Sequence, residues 1–384
     1  MVRVLLDATA IPADRGGVGR YLDGLIPALA ARARSNSAPD LHLTVACQGR
    51  DAELYRRTGA AVLVAPGRIA GRAQRLAWEQ TGLPRMVRAH SIDVVHSPHY
   101  TMPVLAGVPT VVTLHDATFF SDPVLHTAVK RRFFTTATRV ALRRAAEIIV
   151  PSRATRDELV RLVSKSASRA NVAHHGVDRD TFHPPALPEV AELRAALGLG
   201  EQPFIAFLGT IEPRKNVSNL IRGWVRAANA ISSRQAKPAL VLAGGPGWDD
   251  TVAAAISEVP PELQLIRPGY LELNRLRALL GGASVVVYPA LGEGFGLPVL
   301  EAMACGAATL TTRRLALPEV GGDAVEYTEV DAASIAAALG QLLAEPSRRA
   351  ELAARALVRS AEFTWEHAAA IHADVYQRAA GGQE

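Results

Sequence analysis

The chain has few cysteines and no long hydrophobic segment. Only two cysteines, Cys47 and Cys305, occur in 384 residues. Their wide separation gives neither a disulfide framework nor the spacing of metal ligands. No charge-free stretch of 18 or more residues is apolar enough to span a bilayer, and Arg3 comes too early for the apolar core of a secretory signal. These absences predict a cytoplasmic protein.

Lysine is also scarce, because only four of the 42 basic residues are lysine. Residues 1–180 contain 25 Lys and Arg against 15 Asp and Glu, whereas the remainder contains 17 against 22. A basic N-terminal half suits an anionic partner such as phospholipid headgroups, a lipid phosphate or nucleic acid. High-GC coding bias is the alternative explanation of the arginine content, although it does not explain the uneven distribution.

Length and hydrophobic content predict two folded domains. A chain of 384 residues is long for one core, and 49% of its residues are hydrophobic, which excludes disordered and fibrous classes. Short apolar runs alternate with helical patterns, as in βαβ units with parallel sheets. The predicted strands are 3–6, 41–46, 61–64, 93–96, 110–114, 147–150, 171–173, 204–208, 239–243, 263–266, 284–288 and 308–311. The predicted helices are 19–34 and 127–146, with others beginning near Asn216, Arg275, Pro298 and Glu366.

A proline-rich stretch separates the two halves. Residues 183–188 contain three prolines, cannot continue a helix and are typical of a linker. The sequence therefore predicts an α/β protein with doubly wound domains at 1–183 and 184–365 and a last helix in 366–384. Ligands of such sheets bind outside the carboxyl ends of the strands, so we expect the active site in a cleft shared by the two domains.

The strongest motif lies in residues 288–306. A strand, a glycine-rich loop and a helix follow one another, and Gly294 and Gly296 allow a ligand to approach the backbone. Glu293 on the loop and Glu301 on the helix suit recognition of sugar or ribose hydroxyl groups. The alternative is a glycine-rich turn with one solvated and one capping glutamate.

A second motif places cations at the start of a helix. Arg214 and Lys215 follow a strand and the Gly209-Thr210 pair, and they directly precede a predicted helix. The amino end of a helix is already electropositive, so two cations there indicate an anionic ligand. A diphosphate leaving group needs such charge when no metal is present. A solvated charge pair is the alternative.

Two motifs in the first half are weaker. A buried strand ends in His115 and Asp116, where Asp116 either orients the imidazole or caps the next loop. Residues 14–21 include Gly16 and Gly17 after the first strand, but their spacing does not match a dinucleotide fingerprint. Helix packing is the alternative reason for these glycines.

Together these motifs resemble glycosyltransferase family 4, whose signature is two glutamates separated by seven residues in a strand–loop–helix setting. The resemblance covers nearly the full chain and implies a GT-B fold, a retaining reaction and a last helix that packs on the N-terminal domain. Many members carry arginine where this chain has Thr210, so Arg214 is the expected substitute. The resemblance implies catalytic roles for His115, Arg214, Lys215 and Glu293, and donor contacts from these last three residues and from Gly16, Gly17, Gly209, Thr210, Gly294, Phe295, Gly296, Leu297 and Glu301.

The resemblance also implies that no metal or other cofactor is required. Asp178, Arg179 and Asp180 have the form of an Asp-x-Asp metal motif, but they resemble the interdomain loop of the family. His174 and His175 are adjacent and point in different directions in regular backbone. We therefore expect no metal site in this region.

The expected donor is a nucleotide diphosphate sugar, and residues 209–216 resemble the corresponding segment of bacterial mannosyltransferases that use GDP-mannose. A UDP-sugar is the alternative donor. The expected acceptor is lipid-linked or a glycan, and no nucleic acid partner is expected. The basic stretch 130–144, with Arg68, Arg72 and Arg75, suits the inner face of an anionic membrane, and a solvated helix face is its alternative.

Two other functions remain open from the sequence. One is a sugar-nucleotide sensor without transferase activity, although the motif residues Glu293, Glu301, Lys215 and His115 are all present. The other is an oxidoreductase, which would need an acidic residue after the second strand, where this chain has 47–49, Cys-Gln-Gly.

Overall fold

The computed structural model describes residues 1–13, 15–35, 41–232 and 235–382. The chain forms two compact units, one of Met1–Gly176 with Thr364–Glu384 and the other of Val177–Phe363. The boundaries expected from the sequence, at 183/184 and 365/366, lie a few residues further along the chain.

The first unit contains a parallel sheet of seven described strands, most of them short and apolar because both faces of such a sheet are covered. These strands are β1 (Val2–Asp7), β2 (Leu41–Cys47), β3 (Ala61–Val64), β4 (Val94–Ser97), β5 (Thr110–Thr113), β6 (Glu147–Val150) and β7 (Asn171–Val172). Their spatial order is β3-β2-β1-β4-β5-β6-β7. The order reverses between β1 and β4, which is the doubly wound arrangement.

Helices connect these strands. They are α1 (Gly17–Arg34), α2 (Ala52–Arg56), α3 (Arg72–Ala89), α4 (Thr118–Ser121), α5 (Ala128–Arg144) and α6 (Arg153–Leu162).

The second unit repeats this plan with a parallel sheet of six described strands. These are β8 (Phe204–Leu208), β9 (Ala239–Ala243), β10 (Leu265–Gly269), β11 (Val285–Tyr288), β12 (Thr309–Thr312) and β13 (Glu326–Thr328). Their order is β10-β9-β8-β11-β12-β13, which reverses between β8 and β11. The loops that follow β8 and β11 are therefore neighbours at the carboxyl edge of the sheet.

The helices of the second unit cover the two faces of its sheet. They are α7 (Leu187–Ala196), α8 (Val217–Ala230), α9 (Thr251–Ser257), α10 (Leu273–Gly282), α11 (Leu297–Ala304), α12 (Leu317–Gly321), α13 (Ala332–Ala344) and α14 (Pro346–Ser360).

The last helix, α15 (Trp365–Gly381), belongs to the first unit although it follows the whole second unit in sequence. Trp365, Ala369 and Tyr376 are buried in the same hydrophobic cluster as residues of α1, β1 and β2. Gly24 of α1 accommodates Trp365, because a Cβ atom at Gly24 would lie 2.0 Å from the Trp365 ring. The last helix is therefore part of the hydrophobic core of the first unit.

Several details differ from the sequence-based expectations, two of which concern the linker and the last strand of the second unit. Helix α7 begins at Leu187, so Pro188 lies in the first turn of a helix, where its missing N–H is tolerated, and the linker is shorter than 183–188. Strand β13 was not predicted, because its three residues Glu326–Thr328 carry no apolar run.

Candidate active site

The strongest sequence motifs meet where the sheet of the second unit changes direction. The loop that contains Gly209 and Lys215 follows β8, and the loop that contains Glu293 follows β11. Strands β8 and β11 are adjacent, and their carboxyl ends form the switch point at which doubly wound sheets bind ligands.

Close backbone packing holds the loop after β8 in place. A Cβ atom at Gly244 would lie 2.2 Å from the Gly209 carbonyl oxygen, and one at Gly247 would lie 1.8 Å from that of Ile211. Gly244 and Gly247 also have φ of +131° and +62°, which side chains rarely adopt. Both glycines are therefore needed for the loops after β8 and β9 to touch. Thr210 is exposed within this contact region.

A tight turn then presents the two cations. Residues Pro213–Lys215 form one 3-10 turn, and Asn216 adopts the left-handed conformation with φ of +58° before α8 begins. The Asn216 side-chain amide donates to the carbonyl oxygens of Pro289 (3.2 Å) and Val330 (2.7 Å). Asn216 thus fixes the turn to the loop after β11. The expected position of Arg214 and Lys215 before a helix is confirmed.

Arg214 and Lys215 both contact the carboxylate of Glu293. Lys215 Nζ lies 2.6 Å from Glu293 Oε1, and Arg214 Nη1 lies 2.5 Å from Glu293 Oε2. Lys215 also donates to the Tyr288 hydroxyl, which in turn donates to Glu293 Oε1 over 3.0 Å. Tyr288 was not singled out from the sequence, because its contact with Lys215 depends on the pairing of β11 with β8.

Burial and charge act against each other in this cluster. Burial lowers the pKa of Lys215, whereas the Glu293 carboxylate raises it, and the net shift is downward. Burial alone would raise the pKa of Glu293, but the charges of Arg214 and Lys215 outweigh it and hold the pKa at about 2. Glu212 lies 3.6 Å from Arg214. Glu293 is therefore a carboxylate at neutral pH that partly neutralises the charge of the two cations.

The glycine-rich loop after β11 has one position that only glycine readily adopts. Gly296 precedes α11 with φ of +102°, and a Cβ atom there would lie 2.8 Å from the Leu317 side chain. Gly294 lies in the same loop, and α11 begins at Leu297. Phe295 is buried and meets the Phe363 ring edge-on at 5.9 Å, so it anchors the loop in the core.

Helix α11 carries the second glutamate of the motif. Glu301 lies one turn into the helix and is buried. The Val299 amide donates to the Gly296 carbonyl oxygen over 3.0 Å, which closes the first turn of the helix.

In the first unit, Gly16 and Gly17 begin α1. A Cβ atom at either glycine would meet no atom within 4 Å, whereas one at Gly19 would lie 2.9 Å from Arg15 Cβ. Helix packing therefore explains Gly19 but not Gly16 or Gly17. Open space beside two glycines suits a ligand that approaches the backbone. Asp14 of the same motif lies outside the described residues.

Arg15 fixes this glycine loop and was not predicted from the sequence. Its φ of +41° is unusual for a side-chain-bearing residue. Its guanidinium donates to Asp23 (2.7 Å), Asp51 (2.7 Å) and the Tyr55 hydroxyl (2.9 Å). Arg15, which is half-buried, therefore connects the glycine loop to α1 and α2.

His115 follows β5 and is held as a neutral imidazole. Its Nε2 donates to the Pro98 carbonyl oxygen over 2.7 Å. Burial lowers the pKa of His115, although this hydrogen bond and the Asp116 carboxylate partly oppose the shift. Asp116 accepts from the Thr118 amide (2.9 Å) and hydroxyl (2.7 Å). Of the two roles left open for Asp116, the geometry supports capping.

The discounted Asp-x-Asp motif forms a turn. Asp178 accepts from the Asp180 amide (3.0 Å) and from the Thr181 hydroxyl (2.5 Å). Among the described residues, no group of three or more His, Cys, Asp or Glu side chains is arranged to hold a metal ion. Within the same described ranges, every helix is too short or too polar to cross a membrane.

Comparison with known proteins agrees with these motifs. Residues 189–359 match the family described as Glycosyl transferases group 1, and residues 15–181 match Glycosyltransferase Family 4. The O-antigen chain mannosyltransferase B of Escherichia coli is 31% identical over 285 residues, which cover 73% of each chain. Alpha-maltose-1-phosphate synthase of Mycolicibacterium smegmatis is 27% identical over an alignment that covers 96% of each chain.

A solved structure has the same architecture. Anabaena HepE, in complex with UDP and glucose, aligns with a TM-score of 0.73 at 18% identity, over 95% of this chain and 96% of that one. Likeness at this identity concerns the fold alone. The predicted class of two Rossmann-like domains of the GT-B type is confirmed.

Proposed function

This chain belongs to glycosyltransferase family 4, and on that premise we propose that it is a retaining mannosyltransferase that uses GDP-mannose. The observation that carries the proposal is the convergence of Arg214, Lys215 and Glu293 at the switch point of the second unit. The choice of mannose is supported by the similarity to a mannosyltransferase of O-antigen chains. The acceptor we propose is lipid-linked or a glycan.

The proposed chemistry follows from the charges of these residues. Arg214 and Lys215 stabilise the negative charge that develops on the departing diphosphate, a role that a metal ion fills in other transferases. Glu293 and Glu301 accept hydrogen bonds from hydroxyls of the sugar and the ribose. The acceptor hydroxyl attacks the anomeric carbon on the face that the diphosphate leaves, and a phosphate oxygen takes its proton. His115 remains neutral beside the sugar.

The second candidate donor is a UDP-sugar, the alternative that the sequence leaves open. The test is a screen of GDP-, UDP- and ADP-sugars for release of the nucleoside diphosphate. Release from GDP-mannose alone supports the proposal, and release from a UDP-sugar alone replaces the donor. Binding of one nucleotide sugar without turnover, with any acceptor offered, identifies a sensor instead.

Metal independence is part of the same proposal. Because Arg214 and Lys215 supply the positive charge, sugar transfer should continue in excess EDTA. Activity that disappears with EDTA and returns with manganese would assign a metal role to the Asp178–Asp180 segment, against the proposal.

A membrane-facing surface is proposed for the first unit. On α5, Val129 and Phe133 lie one turn apart and are 81% and 39% exposed, and the exposed Arg131 and Arg132 lie between them. Exposed apolar side chains among arginines suit the interface of an anionic bilayer, where apolar groups enter and cations meet headgroups. The localisation expected from the sequence, in the cytoplasm and peripheral at the inner face, remains a prediction.

A further inference from the structure

A chain of hydrogen bonds joins α15 to α1 and to the centre of the first sheet. The His372 Nδ1 lies 2.7 Å from the Ala368 carbonyl oxygen, which can only accept, so Nδ1 carries the proton. His372 Nε2 must then accept, and it accepts from the Tyr21 hydroxyl over 2.7 Å. Since Tyr21 uses its proton there, Thr113 Oγ1 donates to Tyr21 over 3.2 Å.

The same logic fixes the remaining protons. Thr113 accepts from His96 Nε2 over 2.8 Å, because its own proton is directed to Tyr21. His96 Nδ1 is then an acceptor, and it receives the Tyr376 hydroxyl proton over 2.8 Å. The chain therefore runs in one direction with both histidines neutral. Burial lowers the pKa of both histidines, which agrees with this assignment.

Tyr21 also contacts the imidazole of the candidate active site. Its ring meets His115 edge-on, with centroids 5.1 Å apart and planes at 79°, and it lies 4.8 Å from the His175 ring. Thr113, which donates to Tyr21, precedes His115 by two residues on the same strand end. Tyr21 is itself one turn into α1, whose first residue is Gly17.

We propose that Tyr21, held by His372 of the last helix, is a positioning residue that orients His115 and the glycine loop of α1. The inference rests on the proposed function, in which His115 lies beside the transferred sugar. The Pro98 carbonyl oxygen holds only one ring nitrogen of His115, so this hydrogen bond alone does not fix the plane of the imidazole. The edge-on contact with the Tyr21 ring restricts rotation of the imidazole about the hydrogen bond. The C-terminal helix is thus linked to the site through one hydroxyl group.

The alternative is that these bonds only anchor α15. Tyr376 provides a matched comparison, because it lies on α15, is as buried as Tyr21 and makes one hydrogen bond of similar length to a histidine. Tyr376 has no ring contact with His115 among the described contacts, whereas Tyr21 does. Anchoring alone predicts the same effect for loss of either hydroxyl group.

The experiment compares Tyr21→Phe with Tyr376→Phe in the full chain. We expect similar losses of thermal stability, but only Tyr21→Phe should lower kcat about tenfold or more, with KM for the donor changed less than threefold. In protein labelled with ¹⁵N-histidine, NMR of His115 should show a changed Nε2–H signal in Tyr21→Phe alone. His372→Gln, whose amide oxygen can accept from Tyr21, should restore most of the kcat that His372→Ala loses.

Equal kinetic and NMR effects of the two Tyr→Phe variants would overturn the proposal and leave a purely structural role. The NMR signal needs no substrate, so it tests the positioning role independently of the reaction. A wild-type protein that transfers no sugar, combined with a His115 signal that responds to Tyr21→Phe, would refute the proposed function and not the positioning by Tyr21.

Discussion

Lys215 is the residue on which the charge balance of the candidate site depends. It is one of four lysines in the chain, it is buried, and it contacts both Glu293 and Tyr288. If it binds the diphosphate, Lys215→Ala should weaken GDP or UDP binding by about 1.5–3 kcal/mol, the cost of a charged hydrogen bond. Titration calorimetry with both nucleotides measures this loss.

Lys237 supplies the control for that variant. It lies before β9, at the opposite end of the strands from the candidate site, and contacts Asn229. Lys237→Ala should leave nucleotide affinity unchanged. Unaltered affinity for every nucleotide in Lys215→Ala would remove Lys215 from the donor site.

Glu293→Gln should separate binding from catalysis. The carboxylate lies within 2.6 Å of both cations, so a diphosphate competes with it for them. Removing its charge should tighten binding of free GDP several-fold. Sugar transfer should fall at least tenfold, because an amide group replaces one of the carboxylate oxygens that accept hydrogen bonds from the sugar hydroxyls. Calorimetry and the transfer assay measure the two effects. Weaker GDP binding in this variant would contradict the competition between Glu293 and the diphosphate.

At the scale of elements, the sequence predicted the parts whose signal is local. The strands Phe204–Leu208 and Ala239–Ala243 are continuous apolar runs, and their bounds in the structure agree with the prediction. The motif around Glu293 and Glu301 was recognisable because its spacing lies within one strand–loop–helix unit. Strand β13 has no such signal and was missed.

The contacts that support the site could not be read from the sequence. Tyr288 meets Lys215 across 73 residues, and Tyr21 meets His372 across 351. Arg15 contacts Asp51, which directly precedes α2, and Tyr55 within α2. Such partners become neighbours only through the order of the strands, and any of several tyrosines or acidic residues would have matched equally well beforehand.

Helix α5 is the element that should decide membrane binding. Attraction to an anionic surface is worth roughly 1 kcal/mol per basic residue, so the double variant Arg131→Glu, Arg132→Glu should reduce sedimentation with anionic vesicles at least tenfold at low salt. Binding by the wild type should also fall as salt rises, because the Debye length is about 8 Å at physiological ionic strength. Neutral vesicles serve as the reference surface.

A charge reversal elsewhere in the first unit controls for net charge. The double variant Arg153→Glu, Arg156→Glu on α6 changes the total charge by the same amount. It should retain binding to anionic vesicles. Equal binding losses in the two double variants would attribute the attraction to overall charge, and negligible binding by the wild type would leave arginine-rich coding bias as the explanation.

At the scale of the whole molecule, the two units differ in the number of histidines that they shield from solvent. His96, His175 and His372 are buried in the first unit and His99 and His115 are half-buried, and desolvation lowers the pKa of each, to about 3 for His99 and about 4 for His372. The second unit contains one histidine, His183, which is half-buried. Acid should therefore affect the two units unequally.

Acid lowers the unfolding free energy of a unit whose histidines have a depressed pKa in the folded state. Unfolded histidines have a pKa near 6.5, so below that pH the unfolded state binds more protons than the folded first unit. Each buried histidine then costs up to about 1.4 kcal/mol of unfolding free energy per pH unit, until the pH reaches its folded pKa. Glu79, whose pKa burial raises, acts in the opposite direction but is a single group. The first unit should lose several kcal/mol between pH 6.5 and about 4.

Hydrogen exchange measured by mass spectrometry resolves this loss for each unit. After correction for the intrinsic exchange rate, peptides from β4 and β5 should lose protection between pH 7 and pH 5, while peptides from β8 and β11 should retain it. Glu293 has a pKa of about 2, so the ion pairs of the second unit persist over this range and supply a reason for its resistance. His372→Gln removes one titrating group and should reduce the pH dependence in the first unit by up to about 1.4 kcal/mol per pH unit. Parallel loss of protection in the two units would show that the buried histidines do not control acid stability.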